Sequence, residues 1–155
     1  MTPERKAYLL SLTQYPSMTA NESAVARAWL EQHADEWDDA EFNVRVGSSM
    51  DLGPSYSDAT RAQAAISSQK RVDLVATRGN VARLVEIKIR VPMGALGQLL
   101  GYQVLWRVEH PETADVQLEA IGNSALLDVV EILQAHGVHV ELFPDLTLAR
   151  LPYGG

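Results

Sequence analysis

The segment Lys70–Arg90 reads KRVDLVATRGNVARLVEIKIR, with two runs of β-forming residues on either side of a central Gly-Asn pair. Glycine adopts positive φ without penalty, so this dipeptide suits a two-residue hairpin turn. Pairing the two runs about this turn places Asp73 opposite Glu86 and Arg71 opposite Lys88. Side chains alternate between the faces of a strand, and we therefore expect all four charged groups on one face.

Apolar residues of the same segment indicate that both faces of this hairpin are covered. One face carries Val72, Leu74, Val85 and Ile87, and the charged face adds Val75 and Leu84. Such coverage is typical of a central strand, which rarely holds charged groups without a function. Two neighbouring carboxylates repel each other, and burial disfavours both charged forms. A divalent cation between them removes this conflict, and Mg²⁺ is commonly held by one or two carboxylates.

The order of these residues, Asp73 and then Glu86-Ile87-Lys88, resembles the PD-(D/E)XK nuclease superfamily. Downstream, Gln98-Leu-Leu-Gly-Tyr102 falls on an expected helix and resembles the Gln-x-x-x-Tyr motif of the RecB-like exonuclease branch. The resemblance covers roughly residues 21–143. It departs from the family pattern at Val72, because no proline precedes Asp73, a departure that many members share. Because the chain has no cysteine, the four-cysteine iron–sulfur variant of that branch is excluded.

The resemblance implies a fold of the restriction-endonuclease-like α/β (α+β) class. Its core has the order αβββαβ, with a central mixed sheet flanked by helices. At 155 residues and 46% hydrophobic content, the chain suits one compact domain over residues 1–155.

The resemblance also implies a metal-dependent DNA nuclease and its site. Asp73, Glu86 and the backbone carbonyl of Ile87 would hold Mg²⁺ or Mn²⁺. Lys88 would position the attacking water and stabilise charge on the phosphate, with Gln98 as a supporting group.

Other side chains of the expected site have two interpretations each. The family's first core helix often supplies a glutamate, which Glu22 matches, with Glu31 as the fallback; Glu22 could equally be a first-turn carboxylate stabilised by the helix dipole. Tyr102 could contact DNA or belong to the core. Arg71 and Arg90 are expected to bind substrate.

Charge is distributed unevenly along the chain. The net charge of −7 argues against a nucleic-acid partner, but residues 61–107 contain eight basic residues and only two acids. Those acids are Asp73 and Glu86, so this segment carries +6 and the remainder −13. A basic segment whose only acids are the expected metal ligands favours DNA as a partner. Basic strands that are simply compensated by acidic helices, with no role in DNA binding, would give the same segment charges of +6 and −13.

The composition also gives expectations for the cellular compartment and for protein partners. We expect no signal peptide, because no long apolar run follows the N-terminal residues, and no membrane span. A cytoplasmic protein is expected, acting alone, as a homodimer or with a larger protein partner. The alternative function is a catalytically inactive DNA-binding or protein-interaction module of the same fold. His136 and His139 are interpreted as structural.

Periodicity and capping residues predict the other elements. Helices are expected at residues 3–12, 22–37, 58–66, 94–108 and 124–134, and further strands at 41–47, 115–121 and 138–143. The loop at 47–57 and the helix after it are interpreted as an insertion over the active face, either a DNA-contacting lid or ordinary loop variation. The tail from residue 144 has weak periodicity.

Overall fold

The computed structural model describes residues 1–48 and 51–149, which form five α-helices and five strands. The helices are α1 (Pro3–Ser11), α2 (Ala20–His33), α3 (Asp58–Ser68), α4 (Gly94–Glu109) and α5 (Leu127–Ala135). The strands are β1 (Asp39–Val46), β2 (Lys70–Arg78), β3 (Val81–Ile87), β4 (Asp115–Gly122) and β5 (Val138–Leu142). A short 3₁₀ helix, Ala34–Glu36, follows α2.

The strands form one mixed sheet in the order β1-β2-β3-β4-β5. The first three strands are antiparallel neighbours, and β4 and β5 then join in parallel. Each parallel step needs a crossover, which α4 and α5 provide. The predicted fold class is confirmed: an α+β domain whose central mixed sheet is flanked by helices. The expected αβββαβ order is present as α2, β1, β2, β3, α4 and β4. Helix α3 is inserted between β1 and β2, and α5 and β5 follow at the end.

Two apolar clusters cover the two faces of the sheet. Leu99 and Tyr102 of α4 pack in one cluster with Val75 and Leu84. On the other face, Trp29 of α2 packs in a cluster with Leu74, Val85, Ile87 and Ile121. The sheet is therefore the middle of three layers, as the doubly apolar hairpin predicts.

The predicted hairpin register is confirmed along most of its length. Residues 74–78 pair with residues 81–85 in the expected register, with Leu74 opposite Val85. This ladder stops one pair before Asp73 and Glu86. The N–H of Ile87 instead donates to Asp73 Oδ2 at 2.8 Å, so the carboxylate occupies the place of a ladder partner.

The alternation of side chains between the two faces of β2 breaks near Asp73, which corrects the expectation that Val72 and Leu74 share a face. Val72 packs in the cluster of Val75 and not with Leu74, contrary to the predicted shared face. In the neighbouring strand β1, Asn43 lies between the pairs Phe42–Leu74 and Val44–Val72 and has a positive φ of 56°. Phe42 and Val44, on either side of Asn43, also pack in different clusters, so the change of face occurs at the same level in both strands. The regular alternation from which Arg71 was expected beside Asp73 therefore does not continue across Asp73.

Helix boundaries agree with the predicted ones except at two N-termini and at the end of the second helix, which stops at His33 and not at Trp37. The second helix starts at Ala20, where Thr19 caps it and shares a capping box with Glu22, and not at Glu22 after an Asn21 cap. The fifth helix begins at Leu127, several residues after the expected cap at Asn123 or Ser124. Within the described residues, no helix combines the length and apolar character needed to cross a bilayer. Part of the predicted 47–57 loop and the end of the chain lie outside the described residues.

Candidate active site

Two carboxylates converge where the β2–β3 ladder ends. Asp73 comes from β2 and is held by the Ile87 amide, while Glu86 comes from β3, the central strand of the sheet. Glu86 is only 3% exposed. Its Oε1 lies 3.5 Å from the Lys88 ammonium, whereas its Oε2 is buried without a hydrogen-bond partner. A buried carboxylate oxygen without a hydrogen-bond partner is costly, and a bound cation would offset that cost.

Electrostatics at the site follow from this crowding. Burial, and secondly the charge of Asp73, raise the pKa of Glu86 from 4.5 to about 7, against the opposing effect of Lys88. Burial also raises the pKa of Asp73, although the Ile87 amide and Lys88 oppose this shift. The apoprotein therefore disfavours two negative charges here.

Glu22, at the start of α2, adds a third negative charge that acts on Asp73 and Glu86. Its charge raises the pKa values of both Asp73 and Glu86, so it lies close to the pair. Glu22 Oε2 also accepts a hydrogen bond of 2.8 Å from the Thr19 amide. Glu22 therefore has the capping role expected of a first-turn carboxylate, and its charge also acts on the two acids.

Tyr102 lies on the inner face of α4 beside the acids. It is 8% exposed and belongs to the core cluster on that side of the sheet. Burial, together with the charges of Glu86 and Asp73, raises the pKa of its hydroxyl from 10.0 to about 12. The hydroxyl is therefore protonated and able to donate toward the carboxylates.

The remaining predicted residues lie further out. Gln98 is exposed one turn before Tyr102 on α4, and Arg90 is exposed beyond the end of β3. Arg71 is half-buried and pairs in register with Arg45 of β1. The acids and Lys88 are thus brought together as expected, whereas Arg71 is not among the charges that shift the pKa of either acid.

Lys88 is fixed by a close approach of two backbones. Its amide donates to the carbonyl of Ile121 at 3.0 Å. At Gly122, a Cβ would overlap the backbone carbonyl oxygen of Lys88 and lie 2.8 Å from Val91 Cγ2. Glycine is therefore required at this position if the backbone of Lys88 is to stay where it is.

Comparisons with known proteins do not assign a family. No family model and no curated protein matches the chain. Among solved structures, it is similar to a crystal structure of a protein of unknown function, AF1548, at 12% identity and a TM-score of 0.47. That similarity covers 76% of this chain and 54% of the other, so this chain spans about half the length of its structural neighbour.

The donor set of the site fits a hard divalent cation. Two carboxylates with raised pKa values converge, one with a buried free oxygen, and a third carboxylate lies nearby. Mg²⁺ and Mn²⁺ prefer oxygen ligands and are typically bound by one or two carboxylates. Asp73 and Glu86 could hold such an ion, and the charge of Glu22 adds to the negative field around them.

A second group of ionisable residues was missed by the sequence interpretation. Glu119 of β4 is fully buried, and His139 and Glu141 of β5 have ligand atoms within 4.8 Å of it and of one another. The interpretation of His139 as structural thus overlooked its pairing with Glu119 across parallel strands. Glu119 did give a signal, because it is a lone acid within the apolar run Val116–Ile121.

Proposed function

We propose that this protein is a divalent-metal-dependent nuclease that hydrolyses phosphodiester bonds of DNA. The observation that carries the proposal is the unpaired, buried Oε2 of Glu86, next to Asp73 and within reach of the Lys88 ammonium. Clustered carboxylates with raised pKa values beside a lysine are typical of catalytic sites.

Each side chain has a role that its contacts support. The Ile87 amide keeps Asp73 oriented, and Asp73 and Glu86 provide carboxylate oxygens for Mg²⁺ or Mn²⁺. Lys88 offers a positive donor, with its side chain 38% exposed, that can orient water and stabilise charge on a phosphate. Tyr102 closes the inner side of the site and keeps it in an apolar surrounding.

A bound divalent ion would polarise the phosphate and lower the pKa of a coordinated water. The protein's own contribution is to bring the two acids together at the cost of their repulsion. It also holds Lys88 beside them through the Ile121 and Gly122 backbones.

DNA is the favoured substrate because of charge. The segment 61–107 carries +6 once its two acids are counted, and those two acids are the proposed metal ligands. Arg45 of β1 adds a further cation opposite Arg71. Phosphate neutralisation by such groups dominates nucleic-acid affinity.

The test is cleavage of linear, circular and single-stranded DNA by the parent protein with Mg²⁺, Mn²⁺ or EDTA. We expect metal-dependent cleavage that falls at least about 100-fold in Asp73→Ala, Glu86→Ala and Lys88→Ala, because each removes a group that acts on the metal or phosphate.

The control for the lysine variant is Lys6→Ala, which removes one positive charge from α1, where Lys6 pairs with exposed Asp35. It should cut as the parent does. Equal rates in the parent and all three site variants would contradict the proposal. No cleavage with any metal would favour the inactive DNA-binding or protein-interaction module.

A further inference from the structure

A second cluster of metal-ligating side chains lies on the face of the sheet that packs against α2. Glu119 stands opposite His139 in the parallel ladder of β4 and β5, and Glu141 follows two residues after His139. Residues two apart on a strand share a face, so the three side chains project together. This is the face of Ile121 and Trp29, whereas Glu86 lies on the α4 face with Leu84.

The carboxylate of Glu119 is hydrogen-bonded by two side chains and lies next to His139 of the edge strand β5. Arg83 Nη1 donates to Glu119 Oε2 at 3.2 Å, and the indole N–H of Trp29 donates to Oε1 at 3.2 Å. His139 Nε2 lies 3.9 Å from the same Oε1, which is too long for a hydrogen bond. Ligating carboxylates are usually oriented by such neighbouring donors.

Glu141 is oriented by a second imidazole. His33 Nε2 lies 2.7 Å from Glu141 Oε2, and the other ring nitrogen of His33 contacts Glu36. Carboxylates that ligate metal ions are usually themselves hydrogen-bonded by neighbouring groups, and His33 provides such a partner for Glu141. This observation comes from α2 and the turn after it, independently of the two strands.

Charge around the cluster also favours a cation. The cluster contains the carboxylates of Glu119 and Glu141, and a third, Glu36, lies on the far side of His33. The one permanent cation among these groups and their partners is the guanidinium of Arg83. Arg83 is also committed to Gln117 through two hydrogen bonds and lies 5.1 Å from the ring of Trp37. It therefore balances Glu119 and leaves Glu141 to other partners.

We infer that Glu119, His139 and Glu141 bind one divalent transition-metal ion, with His33 orienting Glu141. One imidazole and two carboxylates form a mixed nitrogen and oxygen set, which suits Zn²⁺ and related ions better than Mg²⁺. The ion would link β5, the edge strand, to β4. The side chain of His139 is 58% exposed, so the site can load from solvent.

The test is calorimetric titration of the full chain with Zn²⁺ at about pH 8, in the background Asp73→Asn/Glu86→Gln. That background removes the carboxylates of the proposed active site, so retained binding reports on the second cluster alone. We expect one Zn²⁺ per chain, weakened at least tenfold by His139→Ala and by Glu141→Gln. The same titration followed by the visible absorption of Co²⁺ gives a second readout.

The matched control is His136→Ala. His136 is an exposed histidine three residues before His139, and its ring nitrogen Nδ1 contacts the carbonyl of Ile132. This variant should bind Zn²⁺ as the background does, and circular dichroism should show all variants folded. Because His139 is largely exposed, His139→Ala is expected to keep the fold even if Glu141→Gln does not. Absence of Zn²⁺ binding in the background, or equal loss in His139→Ala and His136→Ala, would overturn the inference.

Discussion

At the scale of single residues, Glu86 makes the stability of the metal-free protein depend on pH. Its carboxyl has a pKa of about 7 in the folded protein against 4.5 ordinarily. Between these values the folded state keeps a proton that the unfolded chain releases. The contribution of Glu86 is therefore fully present below about pH 4.5 and is lost as pH rises through about 7.

We expect the free energy of unfolding in EDTA to fall between about pH 5 and pH 8, with Glu86 contributing roughly 3 kcal/mol. Glu86→Gln should remove that share of the slope, since an amide does not titrate. Urea denaturation of both proteins at several pH values measures it. Glu119, whose pKa burial also raises to about 7, remains in both proteins, so the difference between them isolates Glu86.

Saturating Mg²⁺ should reverse the slope, because the ion competes with the proton for the carboxylates. Parallel pH profiles for the parent and Glu86→Gln would instead mean that Glu86 ionises normally in the folded protein.

At the scale of elements, the close approach of β4 to the end of β3 controls the position of Lys88. Gly122→Ala introduces a Cβ that overlaps the Lys88 carbonyl, so one of the two backbones must shift. We expect a loss of about 1–3 kcal/mol in stability, and nuclease activity reduced at least about tenfold with every site side chain still present. Thermal unfolding and the cleavage assay measure the two effects.

Gly101→Ala is the matched control for that substitution. Gly101 lies in α4, and a Cβ there meets no atom within 4 Å. Alanine favours helix over glycine by about 1 kcal/mol, so this variant should be slightly more stable and equally active. If Gly122→Ala behaved as Gly101→Ala does, the close approach would have no influence on the site.

The sequence predicts an element well when the residues that determine it are close together in the chain. The β2–β3 hairpin and its register follow from a Gly-Asn turn and nearby alternation, and the cap of α1 follows from Thr2 and Pro3. The pairing of Asp73 with the Ile87 amide could not be predicted, because it depends on where the ladder ends. The change of face in β1 coincides with the left-handed backbone of Asn43, which asparagine allows but does not dictate.

The two candidate sites also differ in how far apart their residues lie in the sequence. Asp73, Glu86 and Lys88 belong to one hairpin and therefore show a pattern in sequence. Glu119 and His139 are brought together by a parallel ladder across a helical crossover, which no short-range pattern specifies. His33 comes from a helix more than 80 residues before Glu119, and its place beside Glu141 is visible only in the fold.

At the scale of the whole molecule, the positive charge is concentrated in one segment of the chain. The segment with an excess of positive charge supplies the hairpin and α4, while the remaining 13 net negative charges lie in the rest of the chain. A DNA duplex approaching this protein would be attracted to one part of it and repelled by another, which favours a defined orientation. The proposed metal clusters lie on opposite faces of the sheet and can be studied by separate substitutions.

The mixed sheet described above also has a consequence for folding kinetics. The antiparallel half closes through a two-residue turn between β2 and β3, whereas the parallel half closes only after α4 and α5 have been placed. Short loops close at lower entropic cost, so the hairpin should be structured in the transition state and β5 should not. Leu84→Ala should mainly slow folding, and Val138→Ala should mainly speed unfolding.

Stopped-flow refolding and unfolding of the two variants would measure this order. Leu84 and Val138 are both fully or almost fully buried core residues, which makes them a matched pair. A larger effect on the folding rate from Val138→Ala would show that the parallel edge forms first. In the expected order, the Asp73–Glu86 pair is an early product of chain assembly, and the Glu119 cluster arises only when the last strand docks.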